Sequence, residues 1–337
     1  MFTYESIQAF PKSELHCHLD GSIRPKTLQD IAKMQQMSIE EDLHEIEAKM
    51  RASKTCRNLE EYLVCFDYVL PYLQTAEALT RAAFDVMEQA AQDGVVYLEI
   101  RFAPSLSMEK GLTVSQIIKA VATGIAQAET QYEIIGNMLI CGMRNTSSVQ
   151  VKEIFTKALA SGETKIVGFD LAGPEADGFS LEFTEPLDLV AKSTKVHLTL
   201  HAGECGCTQN IHQAIARGAK RIGHGISLAQ DLDSLDHTIC IEGCPTSNIQ
   251  TQAIASYEAY PVRQWLDRGI SFCLNTDNRT VSGTTLTNEF YQIAKAHALT
   301  ETQLRLIARQ GIEHAFTSQK IKTEILEKMA QSSLERI

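Results

Sequence analysis

Short apolar runs alternate with amphipathic segments along most of this chain, and this alternation constrains its fold more than any other feature. The apolar runs cover residues 95–100, 134–140, 166–169, 196–200, 221–223, 239–241 and 270–274, and an opening strand within 14–21 makes eight. Helical patterns fill the intervals, for example at 115–130, 148–160, 211–217 and 262–268. Strands that alternate with helices in this way form parallel sheets.

Eight strand–helix units predict an α/β fold, the closed (β/α)8 TIM barrel, rather than an open doubly wound sheet. A Gly-x-Gly-x-x-Gly turn after an early strand would favour a dinucleotide-binding sheet, and the sequence has none. The 337 residues could also form two domains, but no linker or shift in composition divides them. We therefore expect one domain over 1–337, with a helical insertion after strand 1 at about 25–75 and extra terminal helices.

The predicted insertion contains one apolar helical face. Leu59, Tyr62, Leu63 and Phe66 follow the i, i+3, i+4, i+7 spacing of an amphipathic helix. Such a face either packs on a core or covers a pocket as a lid, and the spacing alone does not separate these alternatives.

Charge and composition exclude several classes of partner. The net charge of −11 and the absence of a Lys/Arg cluster argue against nucleic acid or an anionic membrane surface. No apolar run approaches the ~20 residues of a membrane span, and the first residues lack the pattern of a secretory signal. Nine irregularly spaced cysteines suit reduced thiols, so we expect a cytoplasmic protein. The pair Cys205 and Cys207 is compatible with a soft-metal site or with ordinary thiols.

Polar residues follow the apolar runs at the positions where a barrel carries its working groups, the C-terminal ends of the strands. These residues are His16 and His18 in strand one, Asp170 after strand four, His201 and Glu204 after strand five, His224 after strand six, and Asp277 and Asn278 after strand eight. Any one of these histidines alone is also consistent with a core or surface residue. Together they converge on one rim of the predicted barrel.

Three neutral imidazoles and a carboxylate suit a divalent metal such as zinc and leave one position open for water. A water bound there has a pKa of about 7 and becomes a hydroxide nucleophile at neutral pH. Glu204 could then serve as a general acid, or it could instead cap the following helix. His224 could accept the water proton or stabilise the developing oxyanion.

Six motifs, in this order, resemble the adenosine deaminase family of metal-dependent amidohydrolases. They are His16-x-His18-Leu19-Asp20-Gly21, Asp170-Leu171-Ala172-Gly173, His201-Ala202-Gly203-Glu204, Arg221-Ile222-Gly223-His224-Gly225, Cys244-Pro245-Thr246-Ser247-Asn248 and Asn275-Thr276-Asp277. The resemblance extends from about residue 11 to residue 289, and the joint pattern is very specific. It implies hydrolytic deamination of adenosine and 2′-deoxyadenosine to inosine and 2′-deoxyinosine plus ammonia, a step of purine salvage.

The resemblance also implies roles for individual residues. One zinc ion per chain would be held by His16, His18, His201 and Asp277. Glu204 would protonate purine N1, and His224 would be the partner of the attacking hydroxide. Asp20 and Gly173 match positions that hold the ribose 5′-hydroxyl and purine N3, His18 also borders the substrate, and the face of Leu59, Tyr62, Leu63 and Phe66 matches the apolar lid of the pocket.

One position departs from the family pattern. Many members have Asp-Asp where this chain has Asp277-Asn278, and the second Asp contacts purine N7. An asparagine can still donate a hydrogen bond to N7 through its amide, and the Asp-Asn-Arg-Thr form resembles bacterial members. No lysine lies at the end of strand four, which argues against a bridged two-metal site.

Two other functions compete with this interpretation. Deamination of another 6-aminopurine is disfavoured because related adenine deaminases tend to have Glu at the position of Asp20, and because Asp20 would repel a 5′-phosphate. A purine-binding barrel without activity would have lost a metal ligand or the acid, whereas this sequence retains all of them.

Overall fold

The computed structural model describes residues 2–53, 55–230 and 238–332. In this part of the chain, eight strands lie side by side in chain order and every neighbouring pair is parallel. The strands are β1 Lys12–His18, β2 Val95–Phe102, β3 Ile135–Met143, β4 Ile166–Ala172, β5 His197–Ala202, β6 Ala219–His224, β7 Cys240–Gly243 and β8 Ser271–Leu274. The prediction of a (β/α)8 barrel is confirmed, and each predicted apolar run overlaps one strand.

The barrel closes between its first and last strands through the residues that follow β8. Cys17 pairs with Asp277 in an isolated parallel bridge. The backbone N–H of Asp277 donates to the carbonyl of His16 at 2.9 Å, and the N–H of His18 donates to the carbonyl of Asp277 at 2.7 Å. Closure of the barrel therefore places Asp277 between the two histidines of β1.

Helices lie before, between and after the strands. In the described residues they are α1 Tyr4–Ala9, α2 Pro25–Met34, α3 Leu43–Met50, α4 Leu59–Val69, α5 Ala76–Gln92, α6 Val114–Glu129, α7 Ser148–Ala160, α8 Phe179–Glu182, α9 Thr184–Ala191, α10 Thr208–Ala216, α11 Pro245–Gln250, α12 Val262–Asp267, α13 Arg279–Ser282, α14 Leu286–Ala296, α15 Glu301–His314 and α16 Gln319–Gln331. Helices α2 to α4 occupy the predicted insertion. No helix in the described ranges combines the length and the apolar character that a membrane span requires.

Local sequence signals set the ends of these helices. Helix α6 begins with a capping box, in which Thr113 and Gln116 each bond the other's backbone N–H. Helix α5 ends ahead of Gly94, which has φ of +76°. A Cβ atom at this position would lie 1.9 Å from the carbonyl oxygen of Gln8, so only glycine fits between α5 and β2.

Charged side chains share the barrel interior with apolar ones. Glu99 and Arg101 lie two residues apart on β2 and so point to the same side of the sheet. Arg101 contacts Asp170 on β4 at 2.8 Å and Glu242 on β7 at 2.6 Å, and Arg221 on β6 contacts Glu242 at 2.6 Å. Because β2 and β7 are not neighbours in the sheet, these contacts cross the interior. All five side chains are fully buried, so each charge depends on its partners for compensation.

Apolar contacts join the outer helices to the barrel wall. Phe155 on α7 meets Phe169 on β4 in an edge-on contact with the ring centroids 4.8 Å apart. Both rings are fully buried in the main hydrophobic core. Removal of one ring would leave a cavity between the layers.

We expect Phe155→Ala to lower the free energy of unfolding by about 3–5 kcal/mol, because the substitution removes buried ring surface and leaves that cavity. Urea unfolding followed by the fluorescence of Trp265, the single tryptophan, measures the change. Val149→Ala on the same helix is the control, because Val149 is 75% exposed, and it should change stability by less than about 0.5 kcal/mol. Equal stability of the two variants would contradict the packing argument.

Candidate active site

Four side chains from β1, β5 and the turn after β8 point their ligand atoms at one another. The ligand atoms of His16, His18, His201 and Asp277 all lie within 4.8 Å of one another. Nε2 of His201 is 3.1 Å from Nε2 of His16 and 3.2 Å from Nε2 of His18. Oδ1 of Asp277 is 3.3 Å from Nε2 of each β1 histidine. Four ligands around a tetrahedral zinc at about 2.0–2.1 Å are about 3.3 Å apart, which matches this spacing.

The outer nitrogens of two of these histidines explain why the cluster suits a cation. Nδ1 of His16 lies 2.8 Å from Glu242, and Nδ1 of His201 lies 2.8 Å from Asp170. A carboxylate accepts a hydrogen bond from Nδ1–H, so the neutral rings carry lone pairs at Nε2. Two lone pairs that face each other at 3.1 Å repel unless a cation lies between them. The donor set therefore fits a divalent metal such as zinc.

Burial sets the charge of most of the ligands. It lowers the pKa of His18 well below its ordinary value and that of His201 to about 4, which keeps both rings neutral. Burial would raise the pKa of Asp277, but the hydrogen bond and charge of His16 outweigh it and hold that pKa well below its usual range. His16 differs because Asp277 and Glu242 outweigh burial and raise its pKa. A bound cation competes with that proton.

A cavity over this cluster brings the other predicted site residues together. Its lining includes His18, Asp20, Leu59, Tyr62, Leu63, Phe66, Gly173, Glu204, His224 and Asn278, together with the ligands His201 and Asp277. The apolar face of α4 thus forms part of the cavity wall. Tyr62 on this face is fully buried, and its hydroxyl lies 2.7 Å from the hydroxyl of Ser282 on α13.

Glu204 lies in this cavity in a setting that favours its neutral form. Burial raises the pKa of its carboxyl above the ordinary value, and the charges of Asp277 and Glu175 add to the shift. Oε1 accepts a hydrogen bond from the hydroxyl of Thr251 at 3.2 Å, and Oε2 lies 3.5 Å from Nε2 of His224. A raised pKa favours the protonated form of a carboxylic acid, which can donate its proton to a substrate.

Glu175 holds the turn that carries Glu204. Its carboxylate accepts hydrogen bonds from the backbone N–H groups of Gly203 at 2.7 Å, Glu204 at 2.8 Å and Cys205 at 2.9 Å. Helix α10 begins only at Thr208 and has no side-chain cap. The alternative that Glu204 caps this helix is therefore wrong.

Two functional candidates have an unusual backbone conformation. His224 has φ of 65° and Asp277 has φ of 61°, both in the left-handed region. Non-glycine residues held there cost about 1–3 kcal/mol each and cluster at active sites. The backbone strain at the ends of β6 and β8 thus coincides with the cavity.

Gly21 makes room for Asn278 beside the opening strand. A Cβ atom on Gly21 would lie 1.8 Å from Oδ1 of Asn278, so a larger residue would displace that side chain. Asn278 is only 3% exposed.

Asp20 directly precedes Gly21 in the chain. Burial raises the pKa of Asp20 to about 6, which leaves this carboxylate mostly ionised at pH 7.

Several residues around the site were missed by the sequence analysis. Ser247 donates to Oδ2 of Asp277 at 2.6 Å, and Asn248 lies 3.0 Å from Nδ1 of His224. Both belong to a motif to which no role had been given. Arg101 and Glu242 are charged residues within otherwise apolar strands. Because charged side chains are rarely buried without a partner, their positions could have identified them from the sequence.

The alternative of a soft-metal site at Cys205 and Cys207 finds no support. All nine cysteines lie in the described ranges, and none is in a disulfide. Within those ranges, the group of His16, His18, His201 and Asp277 is the one set of three or more candidate ligands that converges.

Comparisons with known proteins identify the family of this chain. A family model for adenosine deaminase matches residues 11–332. Adenosine deaminase of Enterococcus faecalis is 44% identical over 332 residues, which cover 97% of this chain and 98% of the relative. The apo structure of N6-methyl-AMP deaminase from Arabidopsis thaliana has a TM-score of 0.86 at 27% identity and covers 99% of this chain and 100% of its own. Adenine deaminase from Arthrobacter aurescens is similar in fold, with a TM-score of 0.88 at 24% identity over 96% and 99%. The chain belongs to the adenosine deaminase family of metal-dependent amidohydrolases.

Proposed function

We propose that this protein hydrolyses adenosine to inosine and ammonia, and 2′-deoxyadenosine to 2′-deoxyinosine and ammonia. The observation that carries the proposal is the convergence of a complete metal-ligand set with a buried carboxyl of raised pKa in one cavity. Water adds to C6 of the purine, and the 6-amino group leaves as ammonia. Membership of the adenosine deaminase family supports this choice of reaction.

His16, His18, His201 and Asp277 would hold one zinc ion per chain. When bound, zinc activates water as a nucleophile at neutral pH. Asp170 and Glu242 would keep His201 and His16 in the tautomer that binds a metal through Nε2.

Glu204 would be the general acid. Its raised pKa supports a neutral carboxyl that gives its proton to purine N1, and protonation of N1 makes C6 more electrophilic. His224, whose Nε2 lies 3.5 Å from this carboxyl, would contact the attacking oxygen. The turn held by Glu175 would keep the acid at a fixed position.

The cavity wall supports a nucleoside rather than a nucleotide. Asp20 would accept a hydrogen bond from the ribose 5′-hydroxyl, and its charge would repel a 5′-phosphate. Among the described residues that line the cavity there is no lysine or arginine, whereas Asp67 adds a further carboxylate. A nucleotide substrate such as that named for the Arabidopsis relative is therefore disfavoured.

The remaining contacts would select the purine. Gly173 would face N3, and the amide of Asn278 would donate to N7. Leu59, Tyr62, Leu63 and Phe66 on α4 would cover the base and exclude water, while His18 borders the substrate.

We also propose that residues 1–337 form one functional unit, in which the segment at about 25–75 is the lid of the cavity.

We also propose that the protein works in the cytoplasm. All nine cysteines are free, and seven of them are buried. Free thiols in this number suit a reducing compartment.

The proposed reaction is tested by the change in ultraviolet absorbance when adenosine becomes inosine. We expect rapid turnover of adenosine and 2′-deoxyadenosine, slow or absent turnover of AMP, N6-methyl-AMP and adenine, and loss of activity after removal of metal with a chelator. Zinc should restore the activity. A zinc-loaded protein that leaves adenosine unchanged would disprove the function, and faster turnover of a nucleotide would overturn the choice of substrate.

Glu204→Gln should retain zinc and bind adenosine but lose about 10²–10⁴-fold in kcat, because the amide cannot donate the proton that N1 needs. Steady-state kinetics and zinc content are the measurements. Glu258→Gln is the matched control, because Glu258 is exposed and lies outside the cavity. Near-normal turnover by Glu204→Gln would remove Glu204 from the acid role.

Asp277→Ala should reduce bound zinc well below one ion per chain, because it removes the charged ligand of the cluster. Elemental analysis after dialysis measures the zinc content. Asp267→Ala changes an exposed carboxylate and should leave it unchanged. A full complement of zinc in the Asp277 variant would contradict the assignment of this ligand.

A further inference from the structure

The two ring nitrogens of His224 face different partners. Nε2 lies 3.5 Å from Oε2 of Glu204, on the side of the cavity. Nδ1 lies 3.0 Å from Nδ2 of Asn248 on α11. His224 is 1% exposed and Asn248 is fully buried, so water does not compete for the contact between Nδ1 and the asparagine. The hydrogen-bond chemistry of Asn248 therefore decides which ring nitrogen of a neutral His224 carries the proton.

Tyr260 sets the orientation of the Asn248 amide. Its hydroxyl donates to Oδ1 of Asn248 at 3.3 Å. The hydroxyl of Tyr260 is buried, so its proton has Oδ1 of Asn248 as its acceptor. Tyr260 itself is fixed by a perpendicular contact with Trp265, with the ring centroids 5.6 Å apart. The carbonyl of the amide thus faces Tyr260, and its NH2 group faces His224.

An amide NH2 group only donates hydrogen bonds. Nδ1 of His224 must therefore be the acceptor, and the neutral ring carries its proton at Nε2. The opposite orientation of the amide would turn Oδ1 away from Tyr260 and leave the buried hydroxyl proton without this acceptor. The contacts that join Tyr260, Asn248 and His224 thus have one consistent arrangement of protons.

We propose that Asn248, oriented by Tyr260, fixes the tautomer of His224 so that this histidine offers an N–H to the reacting oxygen and does not act as the base that removes its proton. Asn248 and Tyr260 are positioning residues in this scheme, and His224 stabilises negative charge on the oxygen that adds to C6. The scheme decides between the two roles that the sequence left open for His224. It rests on the proposed deaminase function only for the identity of the reacting oxygen.

The test reads the tautomer directly. Two-bond ¹H–¹⁵N correlation spectra of zinc-loaded protein labelled with ¹⁵N-histidine distinguish a protonated ring nitrogen from one with a lone pair, and a His224→Gln variant assigns the signals. We expect the Nε2–H form in the wild type. Asn248→Asp replaces the donor by an acceptor, so its His224 should lose the Nε2–H form and take a proton at Nδ1. In Tyr260→Phe the amide is free to rotate, and a single tautomer should no longer dominate.

Kinetics supply a second readout. Asn248→Asp should lower kcat about 10²-fold with little change in KM for adenosine, because the lost donor acts on charge that develops in the transition state. Gln252→Glu is the matched control, since it makes the same amide-to-carboxylate change four residues away on an exposed side chain. It should leave both the His224 signals and kcat unchanged. Zinc content and circular dichroism of each variant confirm that the protein is folded and loaded.

An Nδ1–H signal for His224 in the wild type, or an Asn248→Asp variant with an unchanged tautomer, would overturn the inference. These spectra require no turnover, so they do not depend on the substrate. A protein with the expected tautomers but no activity on adenosine would contradict the proposed function alone. An active deaminase with the wrong tautomer would contradict the tautomer scheme alone.

Discussion

Arg101 makes the interaction on which the candidate site depends. Its guanidinium bridges Asp170 and Glu242 across the barrel interior, and each of these carboxylates lies 2.8 Å from Nδ1 of one histidine in the metal-ligand cluster. Burial would raise the pKa of Glu242, but the charges of Arg101 and Arg221 hold it well below its usual range. Removal of any one of these three side chains would leave an uncompensated charge in the buried interior of the barrel. The same side chains therefore determine the geometry of the ligand cluster and the charge balance of the barrel interior.

Closure of the barrel and assembly of the site also share a residue. Asp277 completes the ring of strands by its backbone contacts with His16 and His18, and its carboxylate faces the same two side chains. Its left-handed backbone turns the chain sharply at this point. The cost of that conformation is offset by the hydrogen bonds that surround it, including the one from Ser247. Tertiary contacts, and not the intrinsic conformational preference of the residue, therefore hold Asp277 in this backbone conformation.

The cavity-facing part of helix α4 packs in a cluster separate from the main core. Tyr62 and Cys65 of this helix pack with Val281 of α13 in a small apolar cluster, whereas Val69 at the end of the helix lies in the main core. A polar contact between Tyr62 and Ser282 fastens the same helix. A segment with few apolar contacts of its own opens at lower cost than the core does, which suits a wall that must admit substrate.

The sequence by itself determined the barrel, because each strand and helix follows from local periodicity and the strand ends carry the polar residues. It also indicated the ligand set, since residues such as His201 and Glu204 stand directly after apolar runs. It did not determine the supporting contacts. Arg101, Asp170 and Glu242 lie far apart in the chain, and Asn248 meets Tyr260 and His224 through side chains of three separate segments. Only the tertiary structure decides these pairs, because a hydrogen bond depends on distance and direction in space, which periodicity along the chain does not specify.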